Sequence, residues 1–409
     1  MSRSVVAAMT AYTLELREAE IKLNQNESPN DWPRELKEKV LARAAARPWN
    51  IYPEFEATEL RTALATTNGL KAENILVGNG SNELLAAAIG AYVGPGTPVV
   101  FPRPTFTLYE KLVTIAGGLP IPIEFEPDSG LLPLDEMLRA ITPDTVVILC
   151  SPNNPTGGVL PPGGLDALLA SGAMVLFDEA YGDFADPSSA ASRRLLPASG
   201  KQGTQHADGE SPSPASAGEG GPERSEGPGE GSLHPRLVTF RTFSKAWGLA
   251  GLRLGWLAST AENCREIRKV KLPYSLNIIS ETAAIIALEN GAVRDANVAR
   301  TIAERARVMD AMKRIPQITV FPSQANFITF RVKRPLFDAL WARGILVRDV
   351  SAYPRLASCL RVSIGSQEQN DRFLEALRQI LSREDGEGAP PDQRGGSLAP
   401  LGTSPGGKQ

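Results

Sequence analysis

Lys245 stands in TFSKAWGLAGLRLGW (242–256), after an apolar run, beside a serine and eight residues before Arg253. A lysine that is desolvated or held near other cations loses basicity and can form a Schiff base with a carbonyl. Alone, the stretch reads equally well as a solvated lysine at a strand's end. VLFDEAYGDF brings Asp178 to the end of another apolar run, where a buried carboxylate wants a cationic partner, with Tyr181 close enough to share its pocket. LCSPNNPTGG follows the run VVILC; its prolines and Thr-Gly make a fixed turn that aims Asn153 and Asn154 at the strand's carboxyl edge, or a plain Asn-Pro turn. VGNGSNELL places Ser81 and Asn82 directly before a helix, where small residues let backbone N–H groups approach an anion. Capping by Ser81 or Asn82, with Glu83 in the first turn, explains that segment equally well.

Together these segments describe a ligand. Thr242, Ser244 and Arg253 with Ser81 and Asn82 suit a phosphate, Lys245 a carbonyl, Asp178 a protonated ring nitrogen, and Asn154 and Tyr181 a phenolic oxygen. Pyridoxal phosphate carries all four groups. The two histidines, His206 and His234, lie within or beside a stretch with no apolar content, so a His-based triad, His-ligated metal or His general base has no source in the core. Three scattered cysteines form no CxxC pair, and no metal site is expected. Neither GxxxxGK[ST] nor GxGxxG occurs.

A sheet must hold these residues, because ligands of open α/β sheets bind outside the carboxyl ends of the strands. NILVGN, TPVVFP, LPIPIEF, TVVILCSP, AMVLFDEA, RLVTFRTFS and LRLGWLAS read as strands, most of them separated by helical stretches such as NELLAAAIGAYV. That alternation predicts an α/β three-layer sandwich with a mostly parallel sheet. A long helical region from about Ser280 to near Arg314, then four short strands and a final helix, predict a smaller α+β domain. The expected division is an N-terminal arm over 1–50 joining the small domain, a large domain over 51–290 and a small domain over 291–382. Residues 198–232 contain no Val, Ile, Leu, Met, Phe, Trp, Tyr or Cys and read as a disordered insert, as does the tail 383–409.

SPNNPTG, DEAY, TFSKAWGLAGLRLGW and LRVSIG resemble the fold-type I aminotransferases of the class I/II group. With KLNQNESP, IYPEF, PTFTLY, KLPYSLN and ILVRD in the same order, the chain is similar to the histidinol-phosphate aminotransferases over roughly residues 20 to 382. The resemblance implies a homodimer with shared sites, acting on small amino and keto acids. It makes Lys245 the lysine bonded to the cofactor, Asp178 the ring-nitrogen partner, and Tyr181 and Asn154 the contacts of the phenolic oxygen. Thr242, Ser244, Arg253, Ser81 and Asn82 would hold the phosphate, and Phe106, where many relatives carry Tyr, would stack on the ring. Tyr52 would reach the partner's site, Arg361 the glutamate α-carboxylate, and Arg348 the substrate phosphate or glutamate side chain, with Asn26 and Glu27 covering the site. The activity implied is exchange between histidinol phosphate and 2-oxoglutarate; an aromatic or other amino-acid aminotransferase, a threonine-phosphate decarboxylase, or a non-catalytic module on the same fold are the alternatives.

Net charge is -3 with a pI near 5.7, which gives no basic footprint for nucleic acid, and no apolar run is long enough to span a bilayer. The expected compartment is the cytoplasm.

Overall fold

A computed structural model of the chain describes residues 2–11, 17–186 and 233–382. The expectations for 198–232 and 383–409 lie outside the described residues. Runs rich in Val, Ile and Leu form the strands: β1 (Ile21–Lys22), β2 (Ile75–Gly78), β3 (Pro98–Arg103), β4 (Leu119–Glu124), β5 (Val146–Cys150), β6 (Met174–Asp178), β7 (Leu237–Thr242), β8 (Gly255–Ala258), β9 (Ile318–Val320), β10 (Phe327–Val332), β11 (Ile345–Leu346), β12 (Arg348–Asp349) and β13 (Cys359–Ser363).

Seven of them make one sheet in the order β2-β8-β7-β6-β5-β3-β4. Only β8 runs against its neighbours. Successive residues of a strand face opposite sides, and each side of this sheet is apolar. Ile148 and Leu176 join Phe101, Leu84 and Tyr109 in one core, while Val147, Leu149, Val175 and Phe177 join Leu165 and Met137 in another. Helices Ser81–Tyr92 and Leu108–Ala116 supply the first covering layer, and Leu134–Ala140 and Gly164–Ala170 part of the second. A sheet covered on both faces explains why its central strands read as continuous apolar runs rather than as alternating ones.

A second, antiparallel sheet has the order β12-β13-β10-β9 and shares an apolar cluster with helices Gly291–Lys313 and Gln367–Ser382. β1 pairs in parallel with β11, so the segment after residue 20 is stitched to this second unit. The long helical region is two helices, Ile278–Glu289 and Gly291–Lys313, broken at Asn290 (φ -120°, ψ 43°). Asn-Gly is a poor pair for a helix interior, which accounts for the break.

Beside the site, Arg241 and Glu179 tie the ends of β7 and β6 together. Glu179 is 2% exposed and its Oε2 accepts from Arg241 Nη2 at 3.0 Å and Nε at 3.1 Å. Removing the arginine strands a buried carboxylate, which costs about 3 kcal/mol. Arg241→Ala is therefore expected to lower the melting temperature by several degrees in a calorimetric scan, and Glu179→Gln in the Arg241→Ala background to recover most of the loss.

Candidate active site

Strand register brings the reacting groups to one edge. Asp178 ends β6 opposite Cys150 of β5 and Phe240 of β7, and Thr242 ends β7 opposite Gly255, which in turn faces Gly78. A cavity of about 490 Å³ opens there, a volume suited to a small cofactor with its substrate. Its walls include Asn26, Glu27, Ser81, Asn82, Phe106, Asn154, Asp178, Tyr181, Thr242, Ser244, Lys245, Arg253, Arg348 and Arg361. Of the residues expected from sequence, Asn153 and Tyr52 lie off these walls; Tyr52 is 78% exposed and stacks on Tyr274 at 4.8 Å.

Lys245 presents its amine to the cavity, yet dense protein around it desolvates the charge. With Arg361 and Arg253 nearby and only Glu27 opposing them, its pKa falls to about 7. Nζ donates to the Gln25 carbonyl at 2.9 Å. Asp178 is 8% exposed, and burial pushes its carboxyl above the usual range. No side chain supplies the cation expected for Asp178: Oδ2 accepts from the Tyr109 hydroxyl at 2.7 Å and Oδ1 from the Ala180 N–H at 2.9 Å. Both partners are neutral, and the protein leaves the negative charge uncompensated.

The corner between the Ser81 turn and Arg253 rests on two glycines. Gly80 has φ +84°, and a Cβ there would stand 2.7 Å from Arg253 Nη2. A Cβ on Gly255 would meet Ser81 N at 2.2 Å, so only glycine lets β8 lie against this turn. No side chain caps the helix Ser81–Tyr92; the capping reading of Ser81 and Asn82 does not hold, and Glu83 instead accepts from the Asn79 N–H. Arg253 Nη1 donates to Ser244 Oγ at 3.3 Å, and Ser244 N to Thr242 Oγ1 at 3.0 Å. The chain returns from Lys245 to Arg253 through the 3-10 turn Ala250–Leu252, and Arg253 itself takes φ 52°.

Asn153 and Asn154 part company. Asn153 is fully buried and pegs the turn, donating to Pro104 O and Thr156 Oγ1 and accepting from Thr105. Asn154 faces the cavity, its Oδ1 taken by Arg361 Nη1. Three consecutive carbonyls of the N-terminal segment hold three side chains: Asn24 O takes Arg361 Nη2, Gln25 O takes Lys245 and Asn26 O takes Asn326. Asn26 Nδ2 donates to the Tyr181 hydroxyl at 3.0 Å, and Glu27 is held by Lys22. Sequence motifs could not reveal this strip, because every residue owns a carbonyl. Tyr109 was also missed, though its place one turn beyond Phe106 in PTFTLY was a usable signal.

Arg348 and Arg361 are direct partners across β12 and β13, so their side chains share a face. The Arg348 side chain makes no hydrogen bond or ion pair among the described residues, where no group of three or more His, Cys, Asp or Glu could hold a metal and no helix is long and apolar enough to cross a membrane.

Residues 18–377 match the family described as Aminotransferase class I and II. The chain is 34% identical over 371 residues to histidinol-phosphate aminotransferase of Chlorobaculum tepidum, covering 89% of this chain and 95% of that protein. The structure of histidinol-phosphate aminotransferase from Sinorhizobium meliloti in complex with pyridoxal-5'-phosphate superposes with a TM-score of 0.74 at 22% identity, over 92% of this chain and 96% of that one. L-threonine-O-3-phosphate decarboxylase from Porphyromonas gingivalis superposes with a TM-score of 0.68 at 20% identity, over 88% and 99%. The two structural likenesses establish the fold.

A lysine whose pKa is lowered loses its proton as pH rises through that value, so Lys245 is neutral above about pH 7. Acylation of this residue by an amine-selective reagent, followed by peptide mass spectrometry on the cofactor-free protein, should therefore rise to a plateau near pH 8. Surface lysines should still be climbing at pH 10; a Lys245 profile that climbs with them contradicts the assignment.

Proposed function

The chain belongs to the class I and II aminotransferases, and we propose that it exchanges the amino group of histidinol phosphate with 2-oxoglutarate, a step of histidine biosynthesis, using pyridoxal 5'-phosphate. The observation that carries the reading is the pair of facing arginines, Arg348 and Arg361, on a wall of the cavity that also holds a near-neutral Lys245. Two guanidiniums side by side repel, and a doubly anionic ligand relieves that repulsion.

The residues present fit the cofactor. The uncompensated Asp178 suits a protonated ring nitrogen, the uncapped helix start with Arg253, Ser244 and Thr242 suits a phosphate, and the glycines at 80 and 255 keep that corner open. Phe106, half-buried in the wall, offers an aromatic face for stacking. Bound there, pyridoxal phosphate supplies a carbonyl carbon that takes up the amino group and a ring that acidifies the neighbouring C–H.

The chain's own residues do the rest. Lys245 Nζ would hold the cofactor at its carbonyl and would move the proton at the substrate Cα; a pKa about 7 lets it act as base and acid in turn. Asn26 Nδ2 donates to the Tyr181 oxygen, which frees the tyrosine's own proton for the phenolic oxygen of the cofactor. Arg361 occupies Asn154 Oδ1, so the Asn154 amide N–H groups serve as donors. Arg361 takes the α-carboxylate of glutamate, and Arg348 takes its side-chain carboxylate or the phosphate of histidinol phosphate. Asn26 and Glu27 close the site from above.

The working unit is a homodimer. Trp49, Ile51, Tyr52, Phe55, Leu272 and Tyr274 form an exposed apolar cluster, a kind of surface that marks an interaction site, and Tyr52 within it reaches the partner's phosphate corner. The compartment is the cytoplasm, in keeping with three buried free thiols.

Three substrates separate the readings. Histidinol phosphate should convert the purified protein from the aldehyde to the amine form of its cofactor faster than phenylalanine does, and threonine phosphate should release no carbon dioxide. Arg348→Ala should raise KM for histidinol phosphate about a hundredfold with little change in kcat, the loss of a charge-assisted contact. Conversion by phenylalanine alone excludes the assignment. Leu272→Asp should give monomers in sedimentation velocity, with activity lost in parallel.

A further inference from the structure

Asp178 and Glu179 are adjacent, both buried, and treated differently. Glu179 is neutralised by Arg241, as a carboxylate with a purely structural role should be. Asp178 receives a phenol: Tyr109, fully buried, sets its hydroxyl 2.7 Å from Oδ2. A neutral donor fixes the rotation of a carboxylate and favours its ionised form without cancelling its charge. The same turn supplies Phe106 to the cavity wall, with the Phe106 and Tyr109 rings edge-to-face at 5.6 Å. Thus PTFTLY reaches the site twice, once at the ring's face and once behind its acidic partner.

We propose that Tyr109 is a positioning residue whose hydroxyl holds Asp178 as an oriented carboxylate and so directs its charge to the protonated ring nitrogen of the cofactor. The proposal rests on pyridoxal phosphate being that cofactor. Without the phenol, Asp178 keeps only the Ala180 N–H, and burial drives it toward the neutral acid, which no longer favours a cationic ring. The Tyr109 hydroxyl is itself pushed far above its ordinary pKa by burial and by Asp178, so it remains a donor throughout the working range. The other titratable groups around this carboxylate are Cys150, Glu179 and Tyr181; the thiol and Tyr181 are pushed up by burial, and Glu179 is committed to Arg241.

The test compares equilibrium dissociation constants of the cofactor-free protein for pyridoxal phosphate and for 1-deazapyridoxal phosphate, in which a C–H replaces the ring nitrogen. The wild-type protein should prefer the natural cofactor by tenfold or more. Tyr109→Phe, which keeps the ring and its packing, should lower that preference about tenfold, the worth of one hydrogen bond to a charged group. Cys150→Ala, a change of similar size in the same cluster, should leave the preference within twofold. If Tyr109→Phe weakens both cofactors equally, or Cys150→Ala erodes the preference as far, the tyrosine is packing and the proposal is wrong. If the wild-type protein binds neither compound, or binds both alike, the cofactor reading fails with it.

Discussion

The site depends on one constraint: a carboxylate and an amine are buried in the same cavity without neutralising each other. Lys245 feels Arg361, Arg253 and Glu27, while Asp178 feels Glu179 and the donors Tyr109 and Ala180. Neither appears among the influences on the other. Had they met, each would have lost its chemistry to an ion pair. Kept apart, Asp178 is left without a compensating charge and Lys245 with a lowered basicity, and in the proposed reading each meets a different end of one ligand. The instability is local, and the surrounding sheet, apolar on both faces, is rigid enough to maintain it.

That separation is a matter of register and backbone. Asp178 closes β6, whereas Lys245 lies three residues beyond the end of β7, so the gap between them is set by the strand pairing that aligns Asp178 with Phe240. The return to Arg253 needs Gly255 to accept the Ser81 turn at van der Waals range. The segment from Asn24 to Asn26 then locks the arrangement with carbonyl oxygens, which can orient a lysine and an arginine without altering their charge as carboxylates would. A neutral acceptor for each cation and a neutral donor for the anion is the same solution used twice.

Much of this was legible in the sequence. The apolar runs ending in DEAY, SPNN and TFSK placed Asp178, Asn154 and Lys245 at strand ends, and the sheet followed from their alternation with helices. What was not legible has physical reasons. Asn153 and Asn154 are identical in type, and only the turn's geometry makes one a peg and the other a wall. The cation expected for Asp178 is the ring nitrogen of the ligand; what the sequence does not reveal is the phenol and amide that hold the carboxylate and leave room for a charge from outside the chain. The break at Asn290 falls inside what the sequence shows only as a long helical region, and the local weakness of Asn-Gly places it.

The facing arginines extend the same logic to the substrate. Like charges opposite each other on a two-stranded ribbon are destabilising, and no carboxylate among the described residues pairs with Arg348. Arg361 is anchored by Asn154 and the Asn24 carbonyl, so it cannot retreat, whereas Arg348 has no such tether and can adjust. One fixed and one adjustable cation suit two substrates that share an amino group but differ in where their anions lie. Glutamate carries a carboxylate on the reacting carbon and another on its side chain; histidinol phosphate carries a single phosphate. A rigid pair would fit one of them. On the proposed reading, the asymmetry between Arg361 and Arg348 would let a single cavity accept both halves of a ping-pong exchange, and it follows from which of the two arginines the N-terminal segment holds.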